Sequence, residues 1–236
     1  HTRDRRQRQM CIRDSCTATN IPLLYMGAKI KFADVDPHTL NINIEHVNEL
    51  ISEKTKAIVC VHYGGLPCDL KSLSELSKKY NIPLIQDSAH ALGARYNNKD
   101  ISNFSDFSCF SFQAIKTITT GDGGMLVLRS KENEEKAKRV RWFGIDREKK
   151  TKGIWENDIV EIGYKYQMTD IAAVMGIAGL ESFNKQLTHR RKLFFKYEKH
   201  LKNISGIRFV NSSDEKLYHG AWLSTCLLYT SDAADD

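Results

Sequence analysis

No apolar run in this 236-residue chain approaches the roughly 20 residues that a membrane-spanning helix needs, so no membrane association is expected. The Arg-rich N-terminus lacks the apolar stretch that a secretory leader carries. The six cysteines include no Cys-x-x-Cys pair and match no metal-site spacing, so no metal is expected. Cys60 and Cys109 fall in strand-like apolar runs and read as free buried thiols of a reducing, cytoplasmic compartment. Charge of one sign is not gathered into a block. The net charge is only +6, and in stretches such as 131–141 Lys and Arg alternate with Glu. That pattern is a solvated helix face, and no nucleic-acid partner is expected.

Hydrophobic residues make up 41% and charged residues 27%, the balance of a soluble globular protein. The length suits one large domain or a domain and a half. Both ends stand apart. Residues 1–15 hold five Arg and two Asp without hydrophobic period, and residues 226–236 are equally patternless. They read as translated adaptor or vector sequence, the alternative being natural disordered tails, and are set outside the fold.

Between the ends the period of the apolar residues alternates. Residues 29–34 are extended and end in the turn-prone Asp36-Pro37; 44–51 form a helix with Asn43 as its cap. The run KAIVCVH at 56–62 reads as a strand covered on both faces. Asp69 caps a helix that lines up Leu70, Leu73, Leu76 and Tyr80, and IPLIQD at 82–87 is a second buried strand. Strand, helix, strand over some thirty residues is a βαβ unit, so the fold class is α/β with a mostly parallel sheet and helices on both faces. Further strands are expected at 107–112, 124–129 and 207–210. Helices are expected at 131–142 and about 169–180, then a long charged one at 183–201, with a domain boundary near 183.

In open α/β sheets ligands bind beyond the carboxyl ends of the strands. Asp87 sits at such an end, although a strand-end Asp is more often a helix cap. In the segment 107–128 an alternating strand delivers Ser111, Gln113 and Lys116 follow in a loop, and Gly121-Asp122-Gly123-Gly124 turns tightly into the next strand. Lys116, flanked by Ile115 and Ile118, is placed to lose proton affinity by burial and to act as an amine nucleophile. The competing reading is an exposed loop lysine.

The chain carries VHYGGLPCDL at 61–70, IQDSAHALGARY at 85–96, SFQAIKTITTGDGG at 111–124 and GYKYQMTDIAA at 163–173. In these motifs, and from about Thr17 to Ser224, it resembles the DegT/DnrJ/StrS family of pyridoxal-phosphate sugar aminotransferases. The resemblance implies a PLP-dependent transferase of fold type I whose large domain is incomplete here. It implies a partial large domain at 16–183 and the start of a small domain at 184–225. It implies pyridoxal 5'-phosphate as cofactor, bonded covalently by Lys116. Asp87 then pairs with the pyridine nitrogen, His90 packs beside the ring, Ser111 donates to the phosphate, and Lys165 reaches the phosphate in a neighbouring subunit. The implied partners are a nucleotide-sugar substrate, an amino-acid donor such as glutamate, and a second copy in a homodimer.

The sequence also departs from the family pattern. The segment bearing the family's Gly-Thr/Ser-x-Ala phosphate loop has no counterpart, and the aromatic residue that stacks on the cofactor would fall at about Ser15 or Cys16. The 236-residue chain by itself is therefore expected to hold the cofactor weakly and to be inactive. His62, Tyr63 and the pair Gly64-Gly65 either line the sugar pocket or only make a turn, and Trp142, Phe143 and Gly144 are expected to pack core. His219 and Trp222 match the family without an assignable role. A dehydratase using pyridoxamine phosphate, which would have His in place of Lys116, and a non-catalytic binding relative are the alternatives.

Overall fold

A computed structural model of the chain describes residues 17–146 and 159–229. The expected N-terminal tail and the positions Ser15 and Cys16 lie outside the described residues.

Helix α1 (Thr17–Tyr25) buries none of its residues. The segment 29–34, expected to be extended, joins no ladder; pairing consists of one antiparallel bridge between Val35 and Ile42. Asp36 organises the turn between them, its Oδ1 accepting the N–H of His38 and Thr39 at 2.9 and 2.8 Å. Helix α2 (Ile44–Leu50) starts where expected, with Asn43 accepting from the N–H of His46.

Strand β1 (Ile58–Val61), helix α3 (Leu70–Tyr80) and strand β2 (Leu84–Asp87) form the parallel βαβ unit, with Val61 opposite Asp87. Asp69 caps α3 by accepting from Ser72, and Asn81 ends it in the left-handed conformation. The short hairpin β3 (Arg95–Tyr96) and β4 (Lys99–Asp100) leads to β5 (Phe107–Ser111), which lies parallel to β2. Strand β6 (Gly124–Leu128) returns antiparallel, and the sheet order is β1-β2-β5-β6. The architecture is α/β, with a mostly parallel sheet.

Successive side chains of a strand point to opposite faces, and paired residues share a face. One face presents Ile58, Cys60, Leu84, Gln86, Ser108 and Phe110, none more than 9% exposed. Helix α3 presses Leu70 and Leu73 into this face; burying each leucine contributes roughly 2 kcal/mol. The other face presents Val61, Asp87, Cys109 and Ser111 and is covered thinly, in part by α1. This corrects one expectation. Cys60 is buried, but Cys109 is exposed, because strand alternation turns it to the thin face.

Helix α4 (Lys131–Val140) is capped by Ser130. Two helices were expected further on; instead α5 (Asp170–Leu201) is one continuous helix of 32 residues. Glu181, Ser182 and Phe183 contain no helix breaker, and the Ser182 hydroxyl donates back to the Gly179 carbonyl at 3.2 Å within the helix. The first half of α5 leaves Ile171, Val174, Ile177 and Leu180 exposed, while the second half buries Leu187 and Phe194. Strand β7 (Ile207–Phe209) follows, then β8 (Leu217–Tyr218), which extends the β3–β4 hairpin. Strand β9 (Cys226–Leu228) pairs with β7, so three residues that the sequence pattern set in the C-terminal tail satisfy backbone hydrogen bonds of a strand. Of the three residues expected to pack core, Gly144 is buried and Trp142 half-buried, but Phe143 is 43% exposed, and both rings face Lys165.

Candidate active site

The carboxyl ends of β1, β2 and β5 meet at one edge of the sheet. There β2 delivers Asp87, whose Oδ1 accepts the N–H of Ala89 at 3.1 Å. Its Oδ2 accepts a short hydrogen bond from the hydroxyl of Thr19 in α1. The carboxylate is thus fixed from two sides. Ser111 ends β5 on the same face, and its Oγ accepts the N–H of Gln113 at 3.3 Å, which leaves the hydroxyl proton to donate.

His90 lies three residues beyond Asp87 in the turn after β2. Its Nδ1 is buried and has no hydrogen-bond partner among the described residues. Burial pushes the imidazole down to about 4; the charge of Lys116 pushes the same way, and the charge of Asp87 opposes both. The ring also stacks on Trp222, with centroids 3.8 Å apart and planes 17° apart. Lys116 Nζ stands 4.2 Å from the centroid of the same indole. Through Trp222, which touches both His90 and Lys116, the lysine stands near the edge of the sheet that β2 ends with Asp87.

The environment of Lys116 differs from the expected one. Ile118 is buried, but Ile115 is 65% exposed, so the loop does not enclose the lysine in apolar side chains. Its amine instead faces the Trp222 ring. Lys165 lies apart from the group. Its Nζ is 3.6 Å above the Trp142 ring and 3.4 Å from Gln167 Oε1.

A supporting network lies behind the edge. His62 and Gln86 are both 0% exposed, and His62 Nε2 is 2.8 Å from Gln86 Oε1. His62 Nδ1 accepts the N–H of Cys68 at 3.1 Å, so Nε2 carries the proton and the ring is neutral. Gln86 Nε2 donates in turn to the Ile101 carbonyl at 3.0 Å. His62 therefore faces core and does not line a pocket. The pair Gly64-Gly65 makes the turn, at φ +60 and +100. A Cβ on Gly65 would stand 2.8 Å from the His90 carbonyl oxygen, so the glycine also permits close packing beside the site.

Thr19 and Trp222 were not legible as site residues. Their contacts span 68 residues to Asp87 and 107 to Ile115, and no local pattern signals either.

An orphaned buried imidazole nitrogen, a fixed carboxylate, an amine and a hydroxyl at one strand edge fit a flat, nitrogen-containing ring bearing a carbonyl. Asp87 suits the ring nitrogen, Lys116 the carbonyl, His90 Nδ1 a ring substituent, and Ser111 an anionic group. Among the described residues no cluster of His, Cys, Asp or Glu could hold a metal ion. No described helix is long and apolar enough to cross a membrane.

A profile of the DegT/DnrJ/EryC1/StrS aminotransferase family matches residues 10–236. The chain belongs to this family. Over 212 residues it is 34% identical to GDP-perosamine synthase of Escherichia coli O157:H7, covering 90% of this chain and 56% of that protein. Its fold matches that of Helicobacter pylori PseC, an aminotransferase involved in the biosynthesis of pseudoaminic acid. That match has a TM-score of 0.85 and 30% identity, over 92% of this chain and 57% of that one. A Streptococcus pneumoniae chain solved in a PLP-form matches at TM-score 0.79 and 27% identity, over 91% of this chain and 58% of that one. As a DegT/DnrJ/EryC1/StrS member the chain has the expected fold type I, and it spans about half the length of the curated relatives it matches.

Proposed function

We propose that this chain is the cofactor-holding part of an aminotransferase that uses pyridoxal 5'-phosphate to convert a nucleotide-linked keto sugar into an amino sugar. One observation carries the reading: Lys116 Nζ and the ring of His90, three residues beyond Asp87, meet on one indole, and the buried Nδ1 of His90 has no hydrogen-bond partner among the described residues. Family membership and the amino-sugar enzymes among the relatives support it.

When bound, the cofactor acts as an electron sink for the substrate carbon and carries the amino group between donor and acceptor. Lys116 Nζ would hold its carbonyl carbon covalently and, once freed by the incoming amine, would carry a proton between the substrate carbon and that carbonyl carbon. Asp87, oriented by Thr19 and Ala89, would keep the ring nitrogen protonated. His90, neutral near pH 7, offers Nδ1 as an acceptor or donor without adding charge. Ser111 donates to the phosphate. Glutamate is the proposed donor.

A homodimer in the cytoplasm is the proposed assembly and place. The exposed apolar half of α5, with Ile162, Tyr164 and Tyr166 beside it, is the surface that a second copy would cover. Lys165 stands in this surface, away from its own Asp87, which suits a role toward the neighbouring subunit's phosphate. Lys116 argues against the dehydratase alternative, which places His there.

The test uses the full-length parent protein. Cofactor absorbance should change on adding glutamate and revert with a keto-sugar nucleotide. No reversion with any 3-keto or 4-keto hexose nucleotide would sink the substrate class.

A further inference from the structure

Segment 219–223 is far from Lys116 in sequence but pinned beside it. The N–H of Gly220 donates to Gly65 O at 2.8 Å, and those of Trp222 and Leu223 donate to Gly64 O at 3.1 and 3.0 Å. Ala221, buried between them, is held in the left-handed region at φ 50. His219 Nδ1 accepts the Ala221 N–H at 2.8 Å, and Arg191 Nη1 grips the His219 carbonyl at 2.6 Å. A non-glycine residue is kept in this conformation only when its surroundings determine it. The outcome is the placement of one side chain. Trp222 lays its indole on His90, puts the same ring under Lys116 Nζ, and donates from Nε1 to the Ile115 carbonyl at 3.4 Å.

We infer that Trp222 is a positioning residue for Lys116: its indole holds the ammonium at the carboxyl edge of the sheet, against His90, and stabilises the proton that Lys116 carries when it is not bonded. Gly64-Gly65 and His219 serve the same end by fixing the strained turn. The significance of the inference rests on the proposed role of Lys116, but the contact itself does not, so the two can fail separately.

The test needs no cofactor. The 236-residue chain is treated with limiting acetic anhydride across neutral to alkaline pH, and acetylation is read lysine by lysine by mass spectrometry. Trp222→Leu keeps bulk but loses the aromatic face, so Lys116 should react roughly three-fold faster at a fixed neutral pH, its profile displaced to lower pH. Trp222→Phe should restore the wild-type profile, and the exposed Lys71 should be the same in all three chains. Equal Lys116 profiles in wild type and both folded variants would overturn the inference, as would equal displacement in Leu and Phe. A reciprocal measurement covers a variant that does not fold. Lys116→Met, in a loop, should shift the Trp222 emission, taken as the difference between each chain and its Trp222→Phe counterpart. An unchanged emission would overturn the inference.

Discussion

On one face of the sheet His62 and Gln86 satisfy each other and their neighbours, with neither side chain exposed. On the other face His90 keeps a buried nitrogen that no described residue meets. The faces share their strands and differ by one residue of register: Gln86 points one way, Asp87 the other. A polar group sealed in the core must find a partner within the chain. One at a strand's carboxyl edge can find it in a ligand. The packed face therefore carries stability, and the thin face, where the proposed chemistry sits, tolerates exposed groups such as Cys109.

This division can be broken by substitutions that separate activity from folding. The largest effect is expected at Lys116. In the full-length parent, Lys116→Ala should lower turnover at least about 10,000-fold, since one amine supplies both the covalent bond and the proton transfer. Its unfolding free energy in denaturant should stay within about 0.5 kcal/mol of wild type. Survival of turnover would place the chemistry elsewhere. On the packed face, Leu73→Ala removes a side chain that is 0% exposed. It should cost about 3 kcal/mol in urea unfolding, by lost burial and a residual cavity, while Lys116 remains reactive.

Acid sharpens the comparison, because a buried histidine supports the loop above the thin face. Burial, then the Arg191 charge, pushes His219 down to about 3. Its neutral form accepts the Ala221 N–H. A base whose folded value lies below its unfolded value contributes fully above the unfolded value, near 6.5. Its contribution is lost as pH falls below that, because the unfolded chain takes up the proton first. From pH 7.5 to pH 5 this removes about 2 kcal/mol. His90, lowered for the same first reason, adds to the slope in the same direction. Unfolding measured at both pH values should show the loss, and His219→Gln should flatten it. An unchanged slope would mean that His219 is not held neutral.

The packed face was legible in sequence because its signals are local. KAIVCVH and IPLIQD are apolar runs of strand length, and Asn43 and Asp69 cap helices by accepting N–H groups three residues on. Asp87, His90, Ser111 and Lys116 were legible as motif positions, and the fold brings Asp87, His90 and Lys116 to one edge. What closes around them was not. Thr19 and Trp222 arrive from both ends of the described chain by tertiary packing, which leaves no periodic trace. The apolar surroundings inferred for Lys116 from Ile115 and Ile118 failed for a related reason: in a loop, consecutive residues share no fixed face, and Ile115 turns outward. The division of α5 at 183 followed a change in surface charge, which marks a change of neighbours and not a helix end.

The central claim is that Lys116, of all the chain's lysines, bonds to a pyridoxal-type carbonyl at the edge shared with Asp87. Incubation of the full-length parent protein, freed of cofactor, with pyridoxal phosphate, then borohydride reduction and peptide mapping, tests it directly. The account predicts the reduced pyridoxyl group predominantly on Lys116, with the label lost in Lys116→Ala. A label spread evenly over surface lysines such as Lys71 and Lys138, and unchanged in that variant, would contradict it.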